Sequence, residues 1–227
     1  MKIALIGYGQ MGKLVHRLAE EKGHGVFVVI SKDRAELQGC DVAIDFSAAD
    51  AVRGNVEACV AAGVPIVVGT TGWDSEREEV EKIVAENNGA MVYGANFSLG
   101  VNIFYKVADF AAALFAKFPE YEAFIEEQHH SRKKDAPSGT ALKLKEIVSR
   151  YVEVGDVAAT RAGNIPGTHR VGFDGPADQI TLAHTARSRE GFAFGAIMAA
   201  EWIIGKKGFF EFGSVMDKVS SGADLMP

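Results

Sequence analysis

A chain of 227 residues with 48% hydrophobic and 24% charged side chains can bury the core of one large domain or two modest ones, which excludes a disordered or coiled-coil protein. Lys and Arg total 24 against 30 Asp and Glu, and the net charge of −6 leaves no global basic footprint for nucleic acid. Cys40 and Cys59 show neither a disulfide framework nor zinc spacing, and no apolar run reaches the roughly 18 residues of a membrane span, so no membrane partner is expected.

The opening MKIALIGYGQMGK lacks the apolar stretch and cleavage site of a signal peptide, and with two reduced cysteines a cytoplasmic protein is expected. Residues 2–6 form a short apolar run ending at Gly7. Residues 11–22 have helical spacing, with Met11, Leu14, Val15 and Leu18 on one face. Continuous apolar strands are predicted at 26–30, 42–46, 64–68 and 90–93, with helices at 50–61 and 76–86 between them. Such strands alternating with helices predict an α/β fold with a parallel sheet covered on both faces, a Rossmann-like dinucleotide-binding domain over residues 1–96. Ligands of such domains bind beyond the C-terminal strand ends, where Gly7, Ser47, Gly69 and Asn96 fall.

The pattern then changes. A long apolar helix is predicted over 98–117, a strand over 121–128, a helix over 138–149, and alternating stretches with glycine-rich turns over 151–187. These predict an α+β substrate-binding and oligomerisation domain over 97–186 with an open antiparallel or mixed sheet, its outer face suited to another subunit. A helix over 191–204 and a short element over 209–215 follow, and the segment 187–227 is expected to return to the first domain.

Gly7-Tyr8-Gly9-Gln10-Met11-Gly12 is a G-x-G-x-x-G turn between a strand and a helix. Its first glycine permits the tight turn, the second lets backbone approach a pyrophosphate, and the third allows close packing of helix on strand. Gly7, Gly9, Gln10, Met11 and Gly12 are therefore candidate cofactor contacts; a purely structural turn is the other reading. At the end of the second strand the usual ribose-binding carboxylate would fall at Ser31 and is absent. Asp33 could take that part, or Lys32 or Arg34 could hold a 2′-phosphate, so NADPH and NADH both remain candidates. Gly69, Thr70 and Thr71 could face the nicotinamide or substrate, or form a plain turn. Asn96, with Phe97 and Ser98 after it, could orient a carboxamide or cap the long helix.

The sharpest local signal is EEQHHSRKKDAPSGTA at 126–141, where His129, His130, Arg132, Lys133 and Lys134 crowd one strand end of an acidic chain. The cations could focus an anion, and the amides and hydroxyls at Ser138, Gly139 and Thr140 form a carboxylate-binding helix N-terminus. Pro137 suits the helix start, and Asp135 or Ser138 its cap. His129 can donate a proton near neutral pH. The alternative is an exposed basic turn or a patch between subunits. His169 and His184 read as packed or surface histidines in strands, and no metal is assigned.

The motifs HHSRKKDAPSGTA at 129–141, GTTG at 69–72, NFSLGVN at 96–102, GYGQMG at 7–12 and RAGNIPGTH at 161–169 occur in an order and spacing that closely resemble the 4-hydroxy-tetrahydrodipicolinate (dihydrodipicolinate) reductase family over nearly the whole chain. The resemblance implies an NADPH- or NADH-dependent reductase of lysine biosynthesis through diaminopimelate, acting on a small dicarboxylate and usually a homotetramer that closes over its substrate. It implies that His129 is the proton donor and Lys133 the essential cation on a substrate carboxylate. His130, Gly139 and Thr140 would be further carboxylate contacts, Gly69 and Thr71 would lie near the nicotinamide, and Asn96 and Phe97 near the interdomain hinge. The chain departs from the usual pattern in a short Ile30–Asp41 link, in Ser131 and Arg132 within the basic loop, and in Gly94-Ala95. The rival readings are another NAD(P)-dependent dehydrogenase, such as aspartate dehydrogenase, and a nonenzymatic NAD(P)H-sensing protein.

Overall fold

The computed structural model describes residues 1–29 and 37–222. Candidate residues Ser31, Lys32, Asp33 and Arg34 lie outside the described residues. The chain divides into two units, Met1–Leu99 with Glu190–Pro227, and Gly100–Arg189.

The first unit holds strands β1 (Lys2–Ile6), β2 (Gly25–Val29), β3 (Val42–Asp45), β4 (Ile66–Val68) and β5 (Ala90–Tyr93), with helices α1 (Gln10–Glu21), α2 (Val52–Ala61) and α3 (Arg77–Glu86) between them. The second unit holds β6 (Glu122–His129), α5 (Gly139–Val148), β7 (Ala158–Arg161), β8 (Thr168–Asp174) and β9 (Gln179–Thr185), after α4 (Leu99–Phe115) enters it. The chain then supplies α6 (Glu190–Ile203), β10 (Gly208–Glu211) and α7 (Phe212–Ser220) to the first unit.

The first sheet runs β10-β5-β4-β3-β1-β2 with every pairing parallel. The strand alternation divides its core into two layers. Ile3 and Leu5 of β1 pack with Val15 and Leu18 of α1 and with Ile197 and Ile203 of α6. Ala4 and Ile6 point the other way, to Val56 of α2 and Val80 and Val84 of α3. The chain leaves β1 toward β2 on one side and resumes at β3 on the other. That reversal makes β1 and β3 the switch point, where their C-terminal loops diverge and a ligand crevice is expected.

Local departures from the expected boundaries have simple causes. The strand expected at 64–68 starts at Ile66, because Pro65 has no N–H to donate and contributes only its carbonyl, to the Ala43 N–H at 2.8 Å. The expected element at 209–215 is two: β10 pairs with β5 as far as Glu211, and Phe212 then turns inward and is buried with Val215 and Met216 at helical spacing. Among the described residues no helix is long and apolar enough to cross a membrane.

The second unit has a mixed sheet, β7-β6-β8-β9, in which β6 and β7 are parallel and the other pairings antiparallel. Helices α4 and α5 supply Phe104, Ala108, Leu144 and Val148 to a core with Ile125, Val171 and Phe173 from the strands. Ile125 stands opposite Val171, and two residues further along β6 Glu127 stands opposite His169. The covered face therefore runs from an apolar core into a row of titratable groups.

Candidate active site

In the first unit, the loops after β1, β3 and β4 meet. Gly7 has φ +86°, and a Cβ there would stand 2.5 Å from the Phe46 carbonyl oxygen, so the turn requires glycine. A Cβ at Gly12 would collide with the Gly7 carbonyl, whereas one at Gly9 would meet nothing within 4 Å. Gly9 is the N-cap of α1, with no side-chain cap, and the first turn carries no acidic residue. A closed turn, an open second glycine and an uncapped positive helix pole fit the pyrophosphate of a nicotinamide dinucleotide. Gln10, Met11 and Gly12 form the first turn of that helix.

Asp45, at the end of β3, knots these loops together. Its buried carboxylate accepts hydrogen bonds from the Ser47 N–H at 2.7 Å, Asn55 Nδ2 at 2.8 Å and Thr70 Oγ1 at 3.1 Å. The Thr70 hydroxyl, a candidate cofactor group, is thus turned inward, while Thr71 is exposed. Gly69 packs against the Phe46 ring, and its N–H donates to the Asp45 carbonyl at 2.9 Å. Asn96 Oδ1 accepts from the Ser98 N–H at 2.9 Å just before α4, a turn at the helix entry, and Phe97 is buried against Phe212. The sequence reading passed over Asp45, although one charge in the apolar run VAIDF was its signal. Asp45→Ala removes the acceptor of three hydrogen bonds, Asn55 keeping a second acceptor in Ser47 Oγ at 3.1 Å. Thermal melting is expected to show a loss of about 1–3 kcal/mol, and NADH fluorescence titration a weaker cofactor affinity.

A cleft of 270 Å³ lined in part by Val60, Pro65, Asn87 and Lys206 opens at the other end of this sheet, before β3, β4, β5 and β10. None of the candidate residues lines it.

In the second unit, β6 ends at His129, so His130 escapes the alternation that would set the two histidines on opposite faces. The loop that follows is tied to the β7–β8 connection. The Ser131 N–H donates to the Gly163 carbonyl at 3.1 Å and Arg132 to Asn164 Oδ1 at 2.9 Å. The Lys133 N–H donates to the His130 carbonyl at 3.1 Å, and its Nζ stands 2.8 Å from Asp135. The hydrogen bond from Lys133 holds the Asp135 carboxyl below its ordinary range. Ser138 is the N-cap of α5, its Oγ accepting from the Ala141 N–H at 3.3 Å, so Pro137 precedes the helix rather than starting it. Gly139 and Thr140 form the first turn, where Tyr105 bonds the Thr140 hydroxyl.

Behind His129 lies a cluster that the sequence reading missed. Glu127 is buried; its Oε1 accepts from Arg161 at 2.5 Å and from the Ser138 N–H at 2.9 Å. Its Oε2 stands 3.3 Å from His129 Nδ1 and 3.5 Å from His169 Nε2. His169, read from the sequence as a packed or surface histidine, is 5% exposed and shares a 3.1 Å contact between Nε2 and Ser138 Oγ. Burial pushes the Glu127 carboxyl up, but hydrogen bonds from Ser138 and Arg161 outweigh it and leave it below the ordinary glutamate value. Burial lowers His129; Glu127 opposes that shift, and Lys133 and Arg161 add to it. His169 falls to about 4, chiefly through burial, and is neutral at physiological pH. Alternation was the available signal, since Glu127 shares the parity of buried Ile125.

Glu127, His129 and His169 bring three groups of metal-ligating type within 4.8 Å of one another. The Arg161 guanidinium already neutralises the carboxylate, and Ser138 occupies the His169 nitrogen. That donor set reads as an ion-pair network.

Gly167 keeps space beside His129: a Cβ there would stand 3.0 Å from Nε2. In Gly167→Ala the imidazole must shift by a few tenths of an ångström. Turnover is expected to fall about tenfold, the order that small displacements of a catalytic group cost, with little change in melting temperature. Steady-state kinetics beside a melting curve checks both.

The family model described as dihydrodipicolinate reductase, N-terminus, matches residues 1–97, and the corresponding C-terminus model matches residues 100–216. The 4-hydroxy-tetrahydrodipicolinate reductase of Christiangramia forsetii is 36% identical over 233 residues, covering 95% of this chain and 98% of the relative. The same-named protein of Archaeoglobus fulgidus is 36% identical, covering 92% and 97%. Among solved structures, dipicolinate-bound dihydrodipicolinate reductase from Paenisporosarcina sp. TG-14 superposes with a TM-score of 0.77 at 21% identity, covering 93% of this chain and 97% of that one.

Proposed function

This chain belongs to the dihydrodipicolinate reductase family, and from that premise we propose how its residues carry the reaction. It is an NAD(P)H-dependent 4-hydroxy-tetrahydrodipicolinate reductase of lysine biosynthesis. (2S,4S)-4-Hydroxy-2,3,4,5-tetrahydrodipicolinate, NAD(P)H and a proton give (S)-2,3,4,5-tetrahydrodipicolinate, NAD(P)+ and water. The observation that carries the assignment of roles is the convergence of His129, Lys133 and the N-terminus of α5 at one end of β6.

Bound NADH or NADPH supplies a hydride to C4 of the conjugated imine that remains when water leaves. The Gly7–Gly12 loop and the pole of α1 hold its pyrophosphate, and Gly69, Thr71, Asn96 and Phe97 belong to the loops beyond β4 and β5 that would flank its nicotinamide. Thr70 contributes by fixing its loop to Asp45. Lys133 binds a substrate carboxylate, displacing Asp135 from its ammonium group. His130, Gly139 and Thr140 hold carboxylate oxygens, assisted by the helix pole. Fixing both carboxylates orients the ring and limits its motion, which is the protein's main contribution to the rate. His129 delivers the proton that the ring takes up after reduction. A homotetramer joined through the open sheet of the second unit and a cytoplasmic location complete the reading; the free thiols of Cys40 and Cys59 accord with a reducing compartment.

The test is absorbance at 340 nm with the purified protein and the fresh condensation product of pyruvate and aspartate semialdehyde, with NADH and NADPH in parallel. Rapid oxidation that requires protein and condensation product supports the reading. Cofactor binding without oxidation overturns it in favour of a different acceptor.

A further inference from the structure

We infer that Glu127 is a positioning residue for the proton donor: with Oε1 clamped by Arg161 and the Ser138 N–H, its Oε2 fixes His129 with the proton on Nδ1, leaving Nε2 to exchange the proton with substrate. The inference rests on the role proposed for His129.

Three observations carry it. First, Glu127 cannot turn away. Arg161 donates to Oε1 at 2.5 Å while also donating to the Asp135 carbonyl, and the Ser138 N–H donates to the same Oε1 at 2.9 Å. Both partners are themselves anchored, one in β7 paired with β6, the other as the cap of α5. Second, the remaining oxygen and the imidazole nitrogen lie side by side. Glu127 Oε2 and His129 Nδ1 are both buried and lie 3.3 Å apart, a charge contact rather than a formed hydrogen bond, and neither has a hydrogen-bond partner among the described residues. A buried carboxylate oxygen beside a ring nitrogen favours a proton on that nitrogen. Third, His169 also lies near Oε2, at 3.5 Å, but its Nε2 is already in contact with Ser138 Oγ and its ring stacks edge-on against His129 at 5.1 Å. Because burial keeps His169 neutral near pH 7, it packs against the donor without adding a charge.

The charged groups around His129 come from every neighbouring element: Glu127 on its own strand, Lys133 and Asp135 from the loop, Arg161 from β7, with neutral His169 from β8. Glu127 is the main opposing influence to the burial and the two cations that disfavour the imidazolium. Removing its charge therefore lowers the pH above which His129 is deprotonated.

The experiment compares Glu127→Gln, Glu127→Asp and His129→Gln with the unaltered protein in steady-state reduction between pH 5.5 and 9. In Glu127→Gln an amide NH₂ facing Nδ1 favours the opposite tautomer. Its kcat is expected to fall at least about tenfold, part of the ~10²–10⁴ a positioned general acid contributes. KM and the affinity for pyridine-2,6-dicarboxylate stay near normal, and the alkaline limb of the profile moves to lower pH. Glu127→Asp, which retains the charge, moves the limb back. Nitrogen-15 NMR of histidine-labelled unaltered protein, assigned with His129→Gln, needs no folding of the glutamate variants and is expected to show Nδ1–H. An Nε2–H tautomer, or a Glu127→Gln profile and kcat like the unaltered protein's while His129→Gln is slow, overturns the role of Glu127 alone. Full turnover by His129→Gln overturns the proton-donor reading beneath it.

Discussion

His129→Gln and Lys133→Ala are each expected to lower turnover by about 10²- to 10⁴-fold while the circular dichroism spectrum and melting transition stay close to the original. The two losses differ in kind. Gln at 129 keeps the size of the imidazole but has no proton to give near neutral pH, so the loss falls on kcat. Ala at 133 removes the ammonium that stands 2.8 Å from Asp135 at rest. It costs a charged hydrogen bond of about 1.5–3 kcal/mol, roughly a ten- to hundredfold weaker affinity for pyridine-2,6-dicarboxylate. The position tolerates truncation because Lys133 lies in a loop whose backbone is held by the His130 carbonyl and whose neighbours are tied to Gly163 and Asn164. Normal turnover with an unchanged spectrum at either position removes that residue from the mechanism, and unchanged inhibitor affinity in Lys133→Ala removes its carboxylate role.

Gly12→Ala is expected to abolish measurable dinucleotide binding in an NADH fluorescence titration and to lower stability by about 1–3 kcal/mol, the usual cost of overpacking. The added methyl meets the Gly7 carbonyl, which is backbone and cannot rotate away. Gly7 cannot retreat either, because the Phe46 carbonyl and Ser47 lie on its other side. The helix must therefore move off the strand, which breaks the geometry that presents its pole to a phosphate. Gly9→Ala meets no atom within 4 Å and should retain the fold. Any affinity lost there reports contact with the ligand, so the pair separates a packing glycine from a contact glycine. Tight NADH binding by Gly12→Ala would count against the loop as the pyrophosphate site.

The continuous features of the site were legible in the sequence. The Gly7–Gly12 loop and the segment 129–141 are contiguous, and their meaning depends on local chemistry: glycine at a turn, cations at a strand end, a capping serine before a helix. Strand and helix periodicity gave the doubly wound half because each element carries its own apolar pattern. Thr70 was read as a cofactor contact by its place after a strand, but the hydroxyl direction depends on Asp45, 25 residues earlier.

By itself, then, the sequence determined the two kinds of sheet and the family, and it singled out His129 and Lys133 as the candidates for proton donor and cation, since these follow from short-range pattern and residue type. Only the tertiary structure decided what holds them. Glu127 meets Arg161 through a parallel pairing with a strand 34 residues away, and His169 through an antiparallel pairing with β8. Asp45 gathers Ser47, Asn55 and Thr70 from three segments. Register between distant strands is fixed by burial of a whole face at once, so which polar groups become neighbours there is a property of the assembled sheet.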